Sequence, residues 1–344
     1  AGCLDTQGQD IYTDGDWACI RGAIELVESY DGEKPLCIFL PLGSPHPPYG
    51  VEEPWFSMID RDALPAAPAA PEDWQGAPRI LRDIARHQNL QNWTDAQWRE
   101  LRATYYGMCA RMDHLFGSFI DALQNAGMYD DSAIFMFSDH GDFTGDYGLV
   151  EKTQNTLEDC LTRVPLIVKP PAAHDVRPGV NDALVELIDF TATVFDITGI
   201  DPGYDHFGRS LLAVLRGEAA EHRDAVFCEG GRRKGEEQAK EKPSLAAFDT
   251  PTDSLYWPRV YLQSRDDVCF HEKSVMCRTA THKYVKHLYY EDELYDLEKD
   301  PYEQNNLIDD PAHAEILAAL RLRMLDWYEE TCDVVPYGAD ERGG

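Results

Sequence analysis

Four side chains in this 344-residue sequence carry most of its chemical potential: His46, Asp139, His140 and Lys152. Asp139 offers a hard carboxylate oxygen, the donor that a cation such as calcium prefers. His140 offers a nitrogen beside it, and Lys152 returns a positive charge to the same place. A metal ion acting with an anionic substrate is the economical explanation of that set. An EF-hand is excluded, because Asp139, Gly141 and Val150 fall at its first, third and twelfth places and only the first is suitable. No G-x-x-x-x-G-K phosphate loop and no G-x-S-x-G elbow occurs, so ATP chemistry and serine-hydrolase chemistry lose their usual support.

The elements around these residues must deliver them to one place. Ala133 to Phe137 is a short apolar run, read as a buried strand, that ends in Ser138-Asp-His-Gly141. In open α/β sheets, sites form in the crevice at the carboxyl ends of strands. Gly141 allows a sharp turn there. Pro35 to Leu42 is a continuous apolar run that fits a central parallel strand, and it leads into the stiff loop Gly43-Ser-Pro-His46-Pro-Pro-Tyr49.

Helical spacing predicts a helix from about Trp17 to Ser29 behind the cap Asp14-Gly-Asp16. A longer one runs from Thr94 to Ala126, opened by the near capping box Thr94-Asp-Ala-Gln97. A third covers Asp182 to Gly199. Residues 50–92 read as an irregular surface excursion, and Val164 to Lys169 as another short strand. Up to about Gly217, strands alternate with helices, the pattern of a parallel or mixed sheet covered on both faces. Beyond it, 230–258 reads as an exposed loop. Val260–Ser264, Ser274–Arg278, His282–Tyr289 and Glu293–Asp296 read as strands of a smaller antiparallel sheet, followed by a helix from His313 to Thr331. The expected division is therefore 1–217 and 218–344.

The net charge of −31 argues against a nucleic-acid partner, whose phosphates would be repelled. No apolar run has membrane-spanning length. Nine cysteines without a Cys-x-x-Cys pair read as buried free thiols in a reducing compartment, hence a cytoplasmic protein. Arg232-Arg233-Lys234 reads as a solvated basic island, and His271, His282 and His287 as packing histidines of the second unit. Asp142 and Asp146 read as turn or surface carboxylates rather than supports of a metal.

Taken in order, these segments resemble the type I sulfatases of the alkaline phosphatase-like superfamily. Ser138-Asp-His-Gly141 with Gly145-Asp-Tyr-Gly-Leu-Val-Glu-Lys152 is similar to the family's metal-and-lysine segment, and Pro45-His46-Pro-Pro-Tyr49 to its histidine loop. Thr162-Arg-Val-Pro-Leu-Ile-Val168, Ile188-Asp189 to Gly199, Gly208-Arg-Ser-Leu-Leu212, and Glu293-Leu-Tyr-Asp-Leu-Glu-Lys-Asp-Pro301 with Asn305-Asn306-Leu307 follow in family order. The resemblance implies an alkaline-phosphatase-like α/β fold, a mixed sheet flanked by helices, with a smaller C-terminal antiparallel β subdomain and helix.

The function it implies is hydrolysis of a sulfate ester, on a small molecule or glycan, around one Ca2+. By resemblance Asp139 and His140 would hold the metal, His46, His140 and Lys152 would bind the sulfate, and His46 and Lys152 would be catalytic. The family's nucleophile is a formylglycine made from Cys or Ser in a Cys/Ser-x-Pro/Ala-x-Arg segment. No cysteine here has Pro or Ala at the second following position and Arg at the fourth; Cys19-Ile-Arg-Gly is nearest and fails. The family's N-terminal aspartate pair is also missing. The chain is therefore expected to correspond to the C-terminal part of a sulfatase, with an N-terminal segment or a complementary chain as partner. Alternatives are a phosphate or phosphonate ester hydrolase of the same superfamily and a non-catalytic binding protein that keeps the fold.

Overall fold

The Asp14 carboxylate accepts the Trp17 amide proton at 2.8 Å and opens α1 (Gly15–Glu28). In the computed structural model, residues 1–153, 155–236, 255–265 and 270–334 are described. The apolar stripe of α1, Ile20, Ile24 and Val27, packs on Leu115, Phe119 and Leu123 of the long helix α3 (Asp95–Asn125). Thr94 and Gln97 close a full capping box at the start of α3. Between them, α2 (Arg79–Gln88) forms inside the stretch expected to be irregular. Its buried Ile80, Leu81 and Ile84 recur at helical spacing, and their burial outweighs the basic residues interleaved with them.

The strand ending at the site is β1 (Ile134–Phe137), and it pairs with β2 (Leu166–Lys169). The pairing is antiparallel, with Ile134 opposite Lys169 and Phe137 opposite Leu166. β1 is half-buried rather than buried, and Phe137 is exposed. Residues 35–42 take no strand pairing among the described residues. Ile38, Leu40 and Leu42 pack against the α1–α3 core while Phe39 is 81% exposed. An apolar run encodes burial, but a strand also needs a neighbouring edge to receive its amides and carbonyls.

The expected helix at 182–199 is shorter: α4 spans Ile188–Thr198. Before it, Asn181 Oδ1 accepts the Ala183 amide and Asp189 Oδ2 the Glu186 amide, and these side-chain bonds compete with the helical ladder. Leu184 and Leu187 line a cavity instead of a helix face.

A second sheet follows, in the order β3 (Val226–Gly230), β4 (Ser274–Arg278), β5 (His282–His287) and β6 (Glu293–Asp296), antiparallel throughout. β3 lies ahead of the strands read from the sequence. The strand expected at 260–264 belongs to a helix, α5 (Trp257–Ser264). Pro258 suits a first turn, and Arg259 and Gln263, one turn apart, bond each other at 3.0 Å. The closing helix α6 (Ala314–Thr331) covers the sheet through Leu320 and Met324. Residues 237–254, within the expected loop, lie outside the described residues. Arg232 is not solvated: it is fully buried, and its backbone forms an isolated β-bridge with Glu272.

The described cysteines are free, but of them Cys277 alone is buried while Cys3, Cys37 and Cys332 are exposed, so the expectation of buried thiols does not hold for most of them. Among the described residues no helix is long and apolar enough to cross a membrane.

His287 is buried between two carboxylates. Its Nε2 faces Glu293 Oε1 at 2.6 Å and its Nδ1 faces Glu272 Oε1 at 3.3 Å. Burial alone would push the imidazole down, but the two carboxylates outweigh it and hold it up at about 10. A folded pKa raised above the unfolded value stabilises fully below about 6.5 and loses that contribution as pH rises through about 10. Stability measured by urea unfolding is therefore expected to fall between those limits by a few kcal/mol, on the order of 1.4 per pKa unit. His287→Gln should flatten that decline; an unchanged slope in the variant would refute the assignment.

Candidate active site

The histidine loop is held from below by α1. Asp16, buried in the first turn, accepts the Gly43 amide at 2.6 Å and the Ser44 amide at 2.8 Å. The His46 amide then closes onto the Gly43 carbonyl at 2.9 Å. Tyr49 ties this loop to the next by donating its hydroxyl to Asp142 Oδ2 at 2.7 Å. Burial, reinforced by the Asp142 charge, pushes the Tyr49 phenol far up, so it stays a donor. Asp142 Oδ1 also accepts the Thr144 amide and hydroxyl, both at 2.8 Å. Asp142 is thus a turn carboxylate with a second task, joining the two loops.

The loop after β1 is held by chain reversal. The Gly141 amide donates to the Leu161 carbonyl at 2.8 Å, extending the approach of the two segments beyond Phe137–Leu166. A Cβ at Gly141 would meet the Cys160 carbonyl oxygen at 1.9 Å. The glycine is required by this close passage rather than by a left-handed turn, since its φ lies outside that region.

The structure brings together all four residues singled out in the sequence. His46, Asp139, His140 and Lys152 line one cavity of about 1740 Å³. Lys152 Nζ lies 2.7 Å from His46 Nε2, and the His46 and His140 rings are 6.2 Å apart. Lys152 is not a solvated lysine; its side chain is only 12% exposed and also donates to Glu151 at 3.2 Å.

Hydrogen-bond chemistry fixes the tautomers. His46 Nδ1 lies 2.8 Å from the Pro47 carbonyl, which can only accept, so Nδ1 carries the proton. An ammonium can only donate, so Nε2 receives from Lys152. His140 Nδ1 likewise donates to the Gly141 carbonyl at 2.8 Å, leaving Nε2 with a free lone pair. That Nε2 lies 3.8 Å from Asp139 Oδ2, a side chain 86% exposed.

A cation can take one bond from each of these two atoms. Calcium takes about six to eight oxygens, and among the described residues no group of three or more His, Cys, Asp or Glu gathers as a metal site. Asp139 and His140 therefore fit one edge of a divalent-cation site and do not complete one. A nitrogen donor in the pair suits transition cations better than calcium.

Three partners escaped the sequence reading. Glu151 lay in plain view beside Lys152, but its burial at 2% could not be read from a Glu-Lys pair. Arg259, which bonds Glu151, is far away in sequence. Arg163 lines the same cavity and is exposed, just ahead of the segment read as a strand. Asp146 takes no part in the set, and burial pushes its carboxyl up to about 6.

A family model for the sulfatase domain matches residues 16–200. The chain belongs to the sulfatase family. Its relatives include a multifunctional alkaline phosphatase superfamily protein, PehA, of Trinickia caryophylli, 26% identical over 319 residues, which are 89% of this chain and 57% of PehA. Choline-sulfatase of Rhizobium meliloti is 27% identical over 316 residues, 88% of this chain and 53% of that enzyme. The solved phosphonate monoester hydrolase from Silicibacter pomeroyi superposes with a TM-score of 0.65 at 27% identity, over 84% of this chain and 55% of that one. The chain thus spans little more than half the length of these relatives. The sulfatase fold is an alkaline-phosphatase-like one, as the sequence resemblance implied.

Gly141→Ala tests the framework of the site. Overpacking against the Cys160 carbonyl is expected to cost about 1–3 kcal/mol and to shift the His140 resonances in an NMR spectrum. A variant as stable as the parent would contradict the close approach.

Proposed function

We propose that this chain carries the anion-binding and leaving-group side of a sulfate-ester hydrolase, with the nucleophile supplied by residues outside these 344. The observation that supports it most is the 2.7 Å contact between Lys152 Nζ and His46 Nε2 beside Asp139 and His140. An ammonium has three protons. In this site one goes to Glu151 and one to His46, and the third is available to an ester oxygen of the substrate. When the sulfate group draws the ammonium toward itself, His46 Nε2 is released and can take a proton from solvent water, giving an imidazolium. It then returns that proton to the departing ester oxygen, with Nδ1 kept in place by the Pro47 carbonyl. Developing negative charge is met by Lys152, and Arg163 adds positive charge to the cavity.

Asp139 and His140 would hold a divalent cation from one side. Bound there, the ion would polarise a sulfate oxygen; calcium is the family expectation, and the nitrogen donor admits manganese or zinc. A sulfated small molecule or glycan is the substrate class in this reading.

A second reading, hydrolysis of phosphate or phosphonate monoesters, is favoured by the relatives: the Silicibacter structure is a phosphonate monoester hydrolase and PehA is multifunctional. Both ester classes present tetrahedral oxyanions, so the same lysine and histidine would serve either.

Titration of this chain with inorganic sulfate and with phosphate, followed by calorimetry, is expected to show binding that Lys152→Ala weakens about 10-fold or more, the worth of one charge-assisted hydrogen bond. Equal sulfate affinity in Lys152→Ala would remove the lysine from the site. A preference for phosphate would favour the second reading. In parallel, Asp139→Ala should abolish any tightening of sulfate binding by Ca2+, Mn2+ or Zn2+.

A further inference from the structure

Lys152 is flanked by a charged pair whose burial demands an explanation. Glu151 is 2% exposed and Arg259 is 7% exposed. Glu151 Oε2 accepts Arg259 Nε at 2.8 Å, and Oε1 accepts Nη2 at 3.2 Å, a two-pronged guanidinium–carboxylate contact. The same Oε1 accepts Lys152 Nζ at 3.2 Å. Arg259 is itself braced from α5, donating to Gln263 Oε1 at 3.0 Å.

The backbone beneath is constrained as well. Glu151 has φ +71, in the left-handed region that a non-glycine residue adopts only when its surroundings impose it. The Glu151 carbonyl accepts the Phe143 amide at 3.0 Å. Gln88 of α2 bonds both polar groups of Val150, its Oε1 accepting the Val150 amide at 3.4 Å and its Nε2 donating to the Val150 carbonyl at 3.0 Å. Two helices thus fix the segment that presents Lys152.

A buried ion pair is weak evidence of a stability role, since apolar residues of similar volume often serve as well. This one differs by sharing an oxygen with a residue of the active site. Building on the reading of Lys152 as the anion-binding lysine, we propose that Arg259 and Glu151 are positioning residues: Arg259 fixes the Glu151 carboxylate, and Glu151 fixes the Lys152 ammonium at the His46 imidazole. Arg259 satisfies most of the demand of the carboxylate. Without it, a buried negative charge would have Lys152 as its remaining cation among the described residues and would draw the ammonium away from His46.

The test uses this chain with 15N-labelled histidine, together with sulfate titration. The parent should show His46 protonated on Nδ1, with a hydrogen-bonded Nε2. Lys152→Ala should shift the Nε2 resonance. Arg259→Gln should shift it as well and weaken sulfate binding several-fold, and Arg259→Lys should restore part of both. Glu151→Gln is the sharper variant. It removes a negative charge, so charge alone predicts tighter sulfate binding, whereas loss of positioning predicts weaker binding with a moved His46 resonance.

An unshifted His46 resonance in folded Glu151→Gln overturns the proposal, and that variant decides it should Arg259→Gln not fold. If Lys152→Ala leaves sulfate affinity unchanged, the anion-binding reading fails on its own, and the His46 resonance still judges the positioning role.

Discussion

Two nitrogens 2.7 Å apart, one on a lysine and one on a histidine, can share a hydrogen bond only when exactly one proton lies between them. Most of the site follows from that constraint. The Pro47 carbonyl must hold the other imidazole proton, so the chain around His46 has to be stiff, and prolines on both sides of it make it so. The lysine must be kept close without being neutralised. A single free carboxylate beside it would compete with His46, whereas a carboxylate already engaged by a guanidinium leaves the ammonium shared among several acceptors.

The framework answers the same constraint with short-range devices and little sheet. β1 and β2 bring Asp139 and His140 alongside the 160–163 segment, and the absence of a side chain at Gly141 permits the contact. The Tyr49–Asp142 bond links the histidine loop to the loop after β1. The joint with the second sheet is ionic. Lys283, 1% exposed, reaches back from β5 to the Leu157 carbonyl at 2.6 Å and to Asp159 Oδ1 at 3.0 Å, and it also bonds Glu303. Arg278 reaches Asp159 Oδ2 at 2.9 Å. Glu158, next to them, is pushed up to about 8 by burial and by Glu293 and Glu303, which favours its neutral form. Two cations then face Asp159 and Glu303, which is the balance a buried cluster requires.

How far the sequence spoke for itself depended on the range of each interaction. The α1 and α3 caps were legible because cap and amide lie within one turn. The four cavity residues were legible because their types and order are chemically particular. Strand direction was not, since an apolar run says nothing about its partner: the pattern read as a parallel or mixed sheet left the direction of β1 open, and β1–β2 is antiparallel. The 260–264 segment looked like a strand from its Val and Tyr, but helical spacing lets Gln263 brace Arg259, which in turn bonds Glu151. The Arg259–Glu151 contact joins residues 108 positions apart, beyond any local pattern. Gly141 was recognised, though for the turn rather than for the passing carbonyl.

Charge makes the site stand apart from the rest of the molecule. With 62 acidic residues against 31 Lys and Arg, an anion approaching the surface meets a repulsive field. In the proposed function, binding would then have to come from contacts made inside the cavity, where Lys152 is largely shielded from water and Arg163 lines the wall. Exposed charges are screened within about 10 Å at ordinary ionic strength, while a shielded ammonium is screened much less. Raising the salt concentration should weaken the long-range repulsion more than it weakens the Lys152 contact. A small oxyanion would then be held better at moderate salt than at low salt, the opposite of the behaviour of a site built on surface lysines.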